Sequence, residues 1–138
     1  MHGSRRLKAS LSVSGIILMG VGGMLLVTPS AMHASNGVEL GNDPSLLSEV
    51  RAPGGALLAL GALVVAGAFA PRLRYPATMI AAAVYGAYGL SRLLSMAIDG
   101  MPAPALVLVA GLEITIGAVN LALLTIPVEI KGAEDKLT

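Results

Sequence analysis

Cysteine and tryptophan are both absent from this chain, and charged residues make up only 12% of its 138 positions. Without cysteine there is no disulfide, no thiolate metal site, no haem attachment through sulfur and no cysteine nucleophile. With so few charges and a net charge of +1, there is no basic stretch interleaved with aromatics of the kind that binds nucleic acid. What remains is largely apolar. Hydrophobic residues reach 55% and the mean hydropathy is +0.80, a composition that belongs in a bilayer and not in water.

About 20 apolar residues are needed to cross the hydrocarbon core, and four segments qualify: 9–28, 53–70, 77–98 and 103–126. Proline punctuates them. Pro29, Pro71 and Pro127 follow a span, while Pro53, Pro76, Pro102 and Pro104 open one. The ring is tolerated in a first helical turn and stops a helix placed just before it. Asp43 and Pro44 form an N-cap and first-turn pattern that predicts a short lead-in helix over 44–51. Ala52, which precedes Pro53, is biased away from helical geometry, so a kink is expected there. The expected fold is all-α: one integral membrane domain over 1–138, built as a four-helix antiparallel bundle with short connections. Glycines within every span, among them Gly15, Gly22, Gly61, Gly67, Gly89 and Gly117, would let the helices approach closely.

Lysine and arginine are missing from 9–50 and from 93–130. Arg5, Arg6 and Lys8 precede the first span, Arg72 and Arg74 lie between the second and third, and Lys131 and Lys136 follow the fourth. By the positive-inside rule both termini and the 71–76 turn are expected in the cytoplasm, with 29–52 and 99–102 on the opposite side. Tyr75 serves as a cytoplasmic interfacial anchor in a chain with few aromatics. The stretch around Ser30 and Ala34 has some likeness to a signal-peptide cleavage region. The long apolar run and Met32 at a position that should be small favour an uncleaved span. The tail over 129–138 reads as short, charged and frayed.

Two ionisable residues lie inside spans. Arg92 stands seven residues before Asp99, about 10 Å from the outer end, and Glu113 nine residues after Pro104, about 13 to 14 Å from the same side. Their depths match on neighbouring helices, so they are expected to pair. Tyr85, Tyr88, Ser95 and Asp99 share the helical face of Arg92, and Asn120 that of Glu113. The expectation is an outward-opening polar seam with Glu49, Arg51 and Asp99 at its mouth and Tyr85 and Asn120 at its floor. His33 is read as a solvent-facing loop residue; with Glu39 and Asp43 it has no metal-ligand spacing, and no metal or cofactor is expected. There is no GxSxG, HExxH, P-loop or dinucleotide fingerprint, so no catalytic residue is assigned.

Three blocks in order resemble one family. They are Ser48-Glu49-Val50-Arg51-Ala52-Pro53-Gly54-Gly55, then Gly89-Leu90-Ser91-Arg92-Leu93-Leu94-Ser95 continuing to Asp99-Gly100-Met101-Pro102, and Leu112-Glu113. With the Pro71-Arg72-Leu73-Arg74 turn between the first two, the likeness runs from about residue 46 to 124 and is to the DUF4345 family. That resemblance implies a small bacterial membrane protein with four spans and no settled activity, and it directs attention to Glu49, Arg51, Arg92, Asp99 and Glu113; the inner membrane is the expected location. The leading functional expectation is a non-enzymatic protein. It would be an accessory subunit of a larger membrane complex or a binder of lipid or a small amphiphile, alone or as a homo-oligomer. The alternatives are a proton-coupled carrier using Glu113 and Arg92, or an intramembrane enzyme with Glu113 as general base. A purely structural Arg92 and Glu113 pair also fits the sequence.

Overall fold

The computed structural model describes residues 2–125. The ends of the chain, including the last residue of the expected fourth span, Pro127, Lys131, Lys136 and the 129–138 tail, lie outside the described residues. Among the described residues five α-helices follow one another: α1 His2–Val27, α2 Pro29–Ala34, α3 Pro44–Phe69, α4 Arg74–Asp99 and α5 Pro104–Leu124, with a 3-10 turn Pro71–Leu73 between α3 and α4. Four stretches among the described residues, Ser4–Val27, Pro44–Phe69, Pro71–Asp99 and Pro104–Leu124, are long and apolar enough to cross a membrane. They mark the chain as a multi-pass membrane protein.

The sequence predicts a short lead-in helix over 44–51 separate from the span that Pro53 opens, and the two are joined. The lead-in segment and the second span are one continuous helix, α3, with Pro53 inside it. The Asp43 side chain caps this helix, accepting from the Ser45 N–H at 2.7 Å and the Leu46 N–H at 3.1 Å. Once nucleated there, the helix needs to give up only the bond that Pro53 cannot donate to the Glu49 carbonyl. A second difference concerns the first connection. Pro29 ends α1 but also opens α2, so His33 sits on a short helix, half-buried, with its Nδ1 2.9 Å from the Pro29 carbonyl oxygen. It is not the solvent-facing loop residue read from the sequence. Proline in a first turn starts a helix as readily as it stops the preceding one. The chain then reverses through Gly37 and Gly41, both at positive φ (76° and 65°) that other residues rarely adopt.

Small residues organise the packing. Gly22 of α1 lies so near α3 that a Cβ would come within 2.5 Å of the Leu58 nitrogen and 2.7 Å of the Gly54 oxygen. Gly15 meets the Gly61 oxygen in the same way at 2.8 Å. In the other pair, a Cβ on Gly89 of α4 would be 2.6 Å from Ile114 Cγ1, and one on Gly117 of α5 would be 3.0 Å from the Gly86 nitrogen. Where lipid offers no hydrophobic drive, such backbone approach supplies the dispersion energy that holds helices together. Two close pairs result, α1 with α3 and α4 with α5.

The pairs meet each other mainly at one end. There Gly67 of α3 abuts Ala77 of α4, and Leu11, Val64, Ala68, Ala77 and Ala81 form a fully covered core. The same end carries the basic residues: Lys8 Nζ stands 4.7 Å from the centre of the Phe69 ring, and Arg74 Nη1 lies 3.4 Å from Ser4 Oγ. Leucine, isoleucine and valine side chains such as Ile16, Leu63, Leu90, Leu108 and Leu121 remain exposed on the outer faces, where acyl chains would cover them.

Candidate functional site

At the opposite end the two helix pairs flank a half-open cavity of about 530 Å³, within the range of small-molecule sites. All four long helices contribute to it. Its walls are mostly aliphatic, with Leu18 and Val21 from α1, Leu57 from α3 and Val109 and Ile116 from α5. Its polar groups are few and convergent: His33 and Asn36 from the first connection, Glu49 of α3, Tyr85, Tyr88 and Arg92 of α4, and Glu113 of α5.

Arg92 Nε donates to Glu113 Oε2 at 2.8 Å, with the arginine side chain 33% and the glutamate side chain 14% exposed. The glutamate is therefore the more enclosed partner. A guanidinium has five N–H donors and only the Nε–H is engaged in this bond, so the cavity retains directional donors beside a carboxylate.

Of the eight side chains singled out from the sequence, five line this cavity and three do not. Arg51 is exposed and donates from Nε to the Leu26 carbonyl at 3.2 Å. It follows Glu49 by two positions, about 200° of helical rotation, and so leaves the face on which Glu49, Pro53 and Leu57 stand. Asp99 is exposed and accepts from Ser95 Oγ at 2.9 Å, in a bond within its own helix. Asn120 shares the stripe of Glu113 yet is fully buried below the cavity, where α1 closes against α5.

That closure rests on groups the sequence reading passed over. Asn120 Nδ2 donates to Ser14 Oγ at 3.0 Å and to the Ile116 carbonyl at 2.9 Å, and Ser10 Oγ donates to Asn120 Oδ1 at 3.2 Å. Tyr85 OH donates to the Ser14 carbonyl at 2.7 Å. Ser10 and Ser14, spaced i and i+4 in an apolar helix, were a legible sign of a polar stripe. This network ties α1, α4 and α5 together beneath the cavity, and no buried side-chain nitrogen or oxygen among the described residues is left without a partner. Among the described residues no three His, Cys, Asp or Glu side chains are grouped to hold a metal ion.

Residues 6–124 match the sequence model of a domain of unknown function, DUF4345. The chain belongs to the DUF4345 family. The match takes in the four long apolar helices, save the first residues of α1, and every residue of the cavity wall. No curated protein and no solved structure matches this DUF4345 chain, so its function has to be argued from the cavity.

Proposed function

We propose that this DUF4345 protein is a non-enzymatic binder of an amphiphile, whose polar head occupies the cavity around Arg92 and Glu113. One observation carries the reading: an apolar chamber between two helix pairs converges on a small set of charged and hydrogen-bonding groups. That is the chemistry of a molecule with a polar head and an apolar body. The hydrogen-bonded Ser10, Ser14, Tyr85 and Asn120 layer below the chamber favours binding over a proton-coupled carrier, because a carrier needs access from both sides. In this reading the chain lies in the bacterial inner membrane as an antiparallel bundle, with its basic end and both termini in the cytoplasm and the cavity toward the outside. The gathering of Arg5, Arg6, Lys8, Arg72 and Arg74 at one end supports that orientation. The pairing of Gly15 with Gly61 and of Gly22 with Gly54 supports antiparallel packing of α1 and α3.

The cavity wall carries two carboxylates, Glu49 and Glu113, against one guanidinium, Arg92. A head bearing a positive group complements this set better than a purely anionic one. Purified protein offered phosphatidylethanolamine and phosphatidylglycerol of matched chains should retain the former about tenfold more tightly, equivalent to about 1.4 kcal/mol, by native mass spectrometry. Equal retention, or preference for the anionic lipid, would remove the head-group assignment.

A further inference from the structure

A second, shallower depression of about 350 Å³ lies between α3 and α4. Its outer walls are Ala56 and Leu60 on one helix and Ala83 and Ala87 on the other. Its inner walls, Pro53, Leu57, Val84 and Tyr88, are also walls of the central cavity. The groove and the chamber are thus separated by a single layer of four side chains. The geometry points to a lateral portal between α3 and α4, through which a diacyl lipid places its head in the chamber while its acyl chains lie in the groove and the surrounding bilayer. This rests on the amphiphile-binding reading and gives its ligand a class and a route.

Three features argue for that occupant. First, a cavity of about 530 Å³ is the size of a site for a drug-sized molecule, enough for a head group and too small for two long acyl chains as well, so the chains must leave the protein. Second, the groove offers them an apolar path whose small side chains, Ala56, Ala83 and Ala87, are exposed and leave room at helix faces turned away from the other helices. Third, α3 and α4 are held closely where Gly67 meets Ala77, beside the turn that joins them, whereas the groove lies farther along both helices. The α1/α3 and α4/α5 contacts are locked by backbone approach at Gly15, Gly22, Gly89 and Gly117. The α3/α4 contact has no such glycine beside the groove, which makes it the seam that can part. Pro53 stands in the dividing layer, where it cannot donate the usual helical bond to the Glu49 carbonyl.

The test fills the groove from each wall separately, with Ala87→Phe on α4 and Ala56→Phe on α3. Neither residue lines the chamber. Native mass spectrometry would follow dioleoyl phosphatidylethanolamine, whose chains need the groove, and dihexanoyl phosphatidylethanolamine, whose short chains do not. Both variants should lose retention of the long-chain lipid by about tenfold or more and keep the short-chain one at the wild-type level. Unchanged long-chain retention in both variants would overturn the portal, as would equal loss of the two lipids in protein whose melting temperature is unaltered. Should wild-type protein hold neither lipid, the amphiphile reading itself fails, an outcome distinct from failure of the route.

Discussion

Glu113→Leu alone should damage this protein more than Arg92→Leu and Glu113→Leu together. Arg92 is bound to Glu113 at 2.8 Å within the apolar part of the bundle. With the carboxylate gone, the guanidinium remains charged, because no protein environment deprotonates it at neutral pH. At a helix centre an unpaired ion costs about 2.5 to 3.5 kcal/mol in insertion, and Arg92, seven residues from the end of α4 and one-third exposed, should cost less than that. Arg92→Leu should also cost more than the double change, since it strands the Glu113 carboxyl without its partner. The double change removes both charges and should recover much of the loss, as happens when buried pairs are replaced by apolar residues. Reversible unfolding in mixed micelles of the four proteins in the cycle would measure the coupling, expected at about 1 to 3 kcal/mol. Strictly additive losses would mean that the two side chains do not support each other. Stability recovered in the double variant with lipid retention still absent would show that the pair serves binding as well as register.

The second large effect concerns the backbone contact between α1 and α3. Gly22→Ala places a Cβ 2.5 Å from the Leu58 nitrogen and 2.7 Å from the Gly54 oxygen, neither of which can turn aside as a side-chain tip could. The helices must separate, and overpacking of this kind costs about 1 to 3 kcal/mol. Gly20→Ala, two positions earlier on the same helix, meets nothing within 4 Å and should be neutral or stabilising by about 0.5 to 1 kcal/mol, the usual helical advantage of alanine. Each variant adds one methyl group to the same helix, so a wide gap between their melting temperatures isolates helix contact from propensity. Similar melting temperatures would contradict the close α1/α3 approach. Because Leu18 and Val21 of α1 and Leu57 of α3 wall the cavity, Gly22→Ala should also weaken lipid retention.

Hydropathy and proline spacing were enough to find the four long helices, since a run of apolar residues near membrane length leaves few alternatives. They misplaced one boundary. Pro53 reads locally as a helix start, but the Asp43 cap begins the helix earlier and a single missing donor does not end it. The likeness at Ser48 to Gly55, Gly89 to Ser95 and Glu113 falls inside the family match over residues 6–124. Depth along the axis brought Arg92 and Glu113 to one level, which needs only the rise per residue. Rotation about the axis was harder. Arg51 and Asp99 lie near the expected depth, yet the first is turned toward α1 and the second is bonded within its own helix. Asn120 lies on the expected stripe but beneath the chamber, because where a stripe becomes covered depends on which other helix closes over it. That helix is α1, and the Ser10 and Ser14 pair that receives Asn120 sits at a separation of more than 100 residues. His33 reaches the chamber only because Pro29 starts a new helix in the connection.

The most direct test of the account is native mass spectrometry of the protein extracted gently from its own membrane, beside the Arg92→Gln/Glu113→Gln variant. The account predicts one retained amphiphile per wild-type chain, with a head that is not purely anionic, and its loss from a variant that still folds. A bare wild-type chain, or an occupant held equally by both proteins, would contradict it.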